Sequence, residues 1–114
     1  MRVELGRYDD ALKSYNKALQ IEPNTAIVYL NMSVAYSKKG DTEQADKHLQ
    51  RAIALGDKSL SRDGLAYAFN ILGEAYVAKK DPAKARTAFQ TAIRYDPKFE
   101  PAQQNLTKLQ GATQ

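Results

Sequence analysis

Few side chains in this chain could do chemistry. His48 is its single imidazole, and with no cysteine there is no thiol nucleophile, disulfide or zinc–thiolate site. His48 lies mid-helix between Lys47 and Leu49 and reads as a half-packed surface residue rather than a ligand or base. The densest acidic groups are Asp9-Asp10 and Asp41, Glu43 and Asp46. Both fall in the first turns of expected helices, where carboxylates meet the positive end of the helix dipole. An acid/base pair would need apolar burial to raise one carboxyl pKa, and polar first turns do not supply it. Neither the Gly-x-Gly-x-x-Gly loop nor a P-loop occurs. The expectation is a non-enzyme with no cofactor and no metal.

The charge is unevenly spread. The 114 residues carry 17 basic and 13 acidic side chains, a net charge of +4. Residues 66–99 hold six basic and three acidic groups, so most of the excess lies on Lys79, Lys80, Lys84, Arg86, Arg94 and Lys98. A solvated face is the first reading of these cations, and a surface steering an acidic partner or nucleic acid is the second. Nucleic acid is the least supported macromolecular partner. At 43% hydrophobic and 26% charged residues, the composition excludes a disordered chain. No apolar run approaches the roughly 20 residues of a membrane span. The opening Met1-Arg2-Val3-Glu4-Leu5-Gly6 is no secretory signal. The compartment stays open between cytoplasm, organelle and periplasm, with a cytoplasmic location the first choice.

The elements that position these residues repeat. Ala11 to Ala45 and Tyr15 to Leu49 are both 34 residues apart, and Ala45 to Ala85 is 40. Small residues recur seven apart as Ala11/Ala18, Ala45/Ala52 and Ala85/Ala92, which places each pair on one helix face and admits a close neighbour. Aromatic or leucine side chains four residues after the first alanine fill the space beside it. Helices are predicted over about 7–20, 24–39, 41–56, 65–79, 82–95 and 99–110. Pro23 and Gly40 act as stops, Asp41 as a cap and Pro82 as a first-turn residue. The stretch Gly56–Gly64 holds the six extra residues, as a longer loop or as an early helix start capped by Ser59 or Ser61.

Phe69, Leu72, Gly73, Tyr76, Ala85, Phe89, Ala92 and Pro97, within AFNILGEAYVAKKDPAKARTAFQTAIRYDP, fill every signature position of one repeat. This segment resembles the tetratricopeptide repeat, a helix-turn-helix unit of about 34 residues. The preceding unit departs from the pattern with Ser33 for glycine, Leu49 for the aromatic and Asp57 for proline. The resemblance implies an all-α fold: a right-handed α-solenoid of antiparallel helix pairs, with about two and a half repeats. The division expected is one domain over 1–114. Residues 1–25 form a partial repeat lacking its first helix, 26–65 a repeat with six inserted residues, 66–99 a regular repeat and 100–114 a polar-faced capping helix.

The same resemblance implies a protein-interaction scaffold whose first helices line a concave groove for a peptide or partner helix. The lining would be Ile27, Leu30, Asn31, Val34, Ser37 and Lys38, then Tyr67, Asn70, Ile71, Glu74, Val77 and Ala78, with Gln104, Asn105 and Lys108 from the cap. Asparagine amides there can bond a peptide backbone without reading its side chains. Tyr67 is the one aromatic among ten with no packing position in the pattern. Members that hold acidic chaperone tails use a clamp of lysine, asparagine and arginine. Asn31 matches its asparagine, but Tyr67 and Ile71 replace cations, so the clamp reading is rejected. The rival expectation is self-association into a homo-oligomer through Leu5, Tyr8, Leu12, Tyr15 and Leu19, a stripe too apolar for a free end.

Overall fold

Small residues, caps and stops along the chain produce six helices, seen in a computed structural model that describes residues 3–56 and 60–112, with side chains over 6–56 and 60–111. They are α1 (Val3–Ile21), α2 (Ala26–Lys39), α3 (Thr42–Leu55), α4 (Arg62–Ala78), α5 (Pro82–Tyr95) and α6 (Glu100–Ala112). The fold is all-α, and the helices pack as antiparallel neighbours in two compact units divided between Leu60 and Ser61. Asp57 and Ser59 lie outside the described residues.

In the first unit, α2 and α3 approach closely because Ala45 and Ala52 present almost nothing but backbone; both are fully buried, as is Leu49 between them. The Ser33 hydroxyl lies in this seam and donates to the Ala45 carbonyl at 2.7 Å, which meets the requirement that a buried polar group be paired. Gly40 closes α2 at φ 91°, where only glycine is unstrained. The Gly40 N–H donates to Ser37 O and the Asp41 N–H to Tyr36 O, completing a Schellman stop. Asp41 then caps α3 by accepting from the Gln44 N–H.

Part of the apolar stripe of α1 packs on α2. Leu12, 6% exposed, joins Met32 and Ala35 in a buried cluster, with Tyr15 and Leu19 packed against it and only partly buried. Residues three and four apart share one face of a helix, so these three meet α2 together. Tyr8 is half-buried, and the Leu5 side chain lies outside the described ones. The large apolar residue α1 leaves in solvent is Ile21, 81% exposed, which the stripe did not include. An ion pair between Lys39 and Asp9 also joins the two helices, and this hydrogen-bonded carboxylate raises the lysine pKa above its ordinary value.

In the second unit, Ala85, Phe89 and Leu109 form the buried core, with Tyr76 and Leu106 against it. Here α6 packs on α5. The inserted residues extend α4: it begins at Arg62 with Ser61 as its cap, three residues before the predicted start, so the early-start alternative holds. Arg62 gives that added turn a task. Its Nε donates to Tyr95 O at 2.8 Å and its Nη2 to Arg94 O at 2.9 Å, two carbonyls that the end of α5 leaves without helical partners. The guanidinium also lies over the Tyr95 ring, 5.6 Å from its centroid, and that ring stacks on Phe69. Arg62→Ala is expected to lower unfolding free energy by about 1 kcal/mol, read from the urea midpoint. An unchanged midpoint would mean that these exposed bonds merely replace water.

Candidate peptide-binding surfaces

Each unit carries part of the predicted lining, and the helices sort it by exposure. On α2, Asn31 and Lys38 are exposed and Ile27 and Val34 half-buried, while Leu30 is 5% exposed and packed inside the unit. Ser37 is 4% exposed, and its hydroxyl has no hydrogen-bond partner among the described residues. On α4, Tyr67 is 41% exposed, Val77 46% exposed and Glu74 open to solvent, with Ile71 half-buried. Helical geometry explains the division: side chains facing a neighbouring helix are covered, and those a third of a turn away are not.

Asn70 differs most from its expected setting. It is only 3% exposed, and its Oδ1 accepts from Asn105 Nδ2 at 2.9 Å. The same Asn105 amide also donates to Glu74 Oε2 at 3.1 Å. The Asn70 carbonyl is thus engaged within the unit, and Asn105 on α6 holds both side chains of α4 in place. The two asparagines are 35 positions apart, so no local pattern could have joined them.

Beside this network lies a slot of about 270 Å³ between α4 and α6, lined by Glu74, Val77, Phe89, Asn105, Lys108 and Leu109. Its floor is apolar, since Phe89 and Leu109 are core residues 1% and 9% exposed. Its rim carries one acid, one amide and one cation. A hollow of this size admits one apolar side chain, while the rim can bond a backbone beside it.

Several of the polar groups have structural roles. Asp41 and Asp81 cap α3 and α5 through the Gln44 and Lys84 N–H groups. No group of three or more His, Asp or Glu able to hold a metal occurs among the described residues. His48 places Nδ1 at 2.8 Å from Gln44 O, so that nitrogen donates, and its ring lies against Tyr36. Lys79, Lys80, Lys84, Arg86, Arg94 and Lys98 are all exposed, with Lys84 over the Tyr76 ring. No described helix is long and apolar enough to cross a membrane.

Comparison with known proteins agrees with this architecture. A family model described as tetratricopeptide repeat matches residues 24–98, and one described as TPR repeat matches residues 1–40. The chain is 30% identical over 94 residues to the Hsp70-Hsp90 organizing protein of Triticum aestivum, covering 80% of this chain and 15% of that protein. It is 25% identical over 99 residues to small glutamine-rich tetratricopeptide repeat-containing protein 2 of Mycosarcoma maydis, covering 87% of this chain and 26% of that one. The chain thus spans a small part of the curated relatives it matches. Among solved structures, the first TPR of Spaghetti (RPAP3) bound to the HSP90 peptide SRMEEVD aligns with a TM-score of 0.73 at 22% identity, over 98% of this chain and 84% of that one. MamA aligns with a TM-score of 0.72 at 25% identity, over 95% of this chain and 60% of that one.

Proposed function

This chain belongs to the tetratricopeptide repeat family, and on that premise we propose that it binds an extended segment of a protein partner on its first-helix surfaces. The observation that carries the reading is the slot between α4 and α6, an apolar floor one side chain wide with Glu74, Asn105 and Lys108 around it. The partner's segment inserts an apolar residue there, and Val77 and Tyr67 extend the contact along α4. Apolar burial provides affinity, and the amide and charged rim sets the direction of the bound backbone.

The relatives named for Hsp70 and Hsp90, and the structure solved with SRMEEVD, make a chaperone tail the first natural segment to try. Tyr67 and Ile71 stand where the clamp cations would be, so a terminal carboxylate gains little here, and apolar residues carry the contact. The test is selection of binders from a displayed peptide library, with SRMEEVD measured alongside by fluorescence anisotropy. Selected peptides should share an apolar anchor. They should bind Val77→Asp at least about tenfold and Tyr67→Ala severalfold more weakly, with helical circular dichroism unchanged. Binding that is indifferent to both substitutions overturns the reading.

A further inference from the structure

On the first unit, α3 and α2 border a second, shallow and open hollow of about 300 Å³, lined by Tyr29, Gln44, Lys47, His48 and Arg51. The four α3 residues follow at steps of three, one and three, so they share one face of that helix. Tyr29 and Asn31 are two residues apart on α2, which turns them to opposite sides of it. This hollow is therefore separate from the exposed Asn31 and Lys38.

Its chemistry is one-signed. No carboxylate lies within ion-pair distance of Lys47 or Arg51 among the described residues, although Glu43 and Asp46 stand on the same helix. The Arg51 guanidinium lies 5.7 Å from the centroid of the Tyr29 ring. A cation–π contact of that kind draws the ion toward the ring without using its N–H donors, which stay available to a two-pronged acceptor. The His48 ring forms a fixed wall, held by the Gln44 carbonyl and by Tyr36, 4.9 Å away between centroids. Packing does not require this set. At the equivalent positions of α5, forty residues on, the chain has Thr87, Ala88 and Thr91.

We infer that this hollow binds an anionic oxygen group, a phosphate or a carboxylate, carried on a side chain of a protein partner. Lys47 supplies a mobile point charge, Arg51 a pre-oriented fork, and Tyr29 with His48 the walls that limit its size. The inference is independent of the slot in the second unit and stands if that reading fails.

The test is an NMR titration of the full chain, labelled with nitrogen-15, with three glycine-flanked pentapeptides centred on phosphoserine, glutamate or serine. At least one anionic peptide should give saturable shifts confined to Tyr29, Gln44 and 47–51, and the serine peptide none. Saturation by the phosphopeptide alone assigns a phosphate, and saturation by both anionic peptides shows that a carboxylate suffices. Lys47→Gln with Arg51→Gln should weaken binding about tenfold or more, while Arg51→Lys retains an intermediate affinity. Both cations are exposed, and an unchanged circular dichroism melt verifies the fold of each variant. Three results overturn the inference: no shift with either anionic peptide, equal shifts with serine, or shifts spread over the other surface lysines and unaffected by the double substitution.

Discussion

Phe89→Ala is expected to lower unfolding free energy by about 3–5 kcal/mol, the range for truncating a buried phenylalanine. The ring is 1% exposed and packs with Ala85 and Leu109, with Tyr76 and Leu106 against the cluster. Those residues are how α6 is held on α5, so the loss should appear first as faster amide exchange in α6. The ring is also the floor of the slot, so the substitution enlarges the hollow that would seat a partner's side chain. Urea unfolding followed by circular dichroism measures the total, and hydrogen exchange locates it. A loss below about 1 kcal/mol would mean that the site collapses to fill the cavity, and would contradict the tight packing described above.

Gly73→Ser is expected to cost about 1–3 kcal/mol through overpacking, and Phe89→Leu in the same chain is expected to return most of it. A Cβ at Gly73 would lie 2.4 Å from Phe89 Cε1 and 2.6 Å from Cδ1, too close for any carbon. The buried ring has no room to retreat. The first unit solves the same contact with the opposite pair: Ser33 stands where Gly73 does, and Leu49 where Phe89 does, forty residues earlier. The leucine is narrower than the ring, and the serine hydroxyl finds the Ala45 carbonyl. Two of the three departures of that unit from the repeat pattern, Ser33 and Leu49, are therefore one compensated exchange. Urea midpoints of the two single variants and the double variant test the coupling. If the double variant loses the sum of the singles, the residues act independently.

How much of this was legible in advance follows the range of the interactions. Helix ends were read closely wherever the cap is local: Asp41 before α3, Pro82 after Asp81 in α5, and Gly40 after α2. The start of α4 was left between two alternatives, because Ser61 competes with Ser59 on local grounds, and Arg62 finds its acceptors 32 and 33 residues away. The stripe of α1 was legible as a stripe but not in its direction. Periodicity shows that residues share a face without showing what that face meets.

By itself, the sequence determined the repeat and the helix boundaries set by caps and stops. These are matters of residue type at short spacing, and backbone geometry converts spacing into position without further information. Tertiary packing alone decided which lining residues remain open. It buried Leu30 and Asn70 and left Tyr67 and Val77 in solvent, because exposure depends on which neighbour arrives at each face. It also engaged Asn70 of α4 through Asn105 of α6 and set Tyr29 of α2 against Lys47, His48 and Arg51 of α3, since residues on different helices meet only when the helices pack.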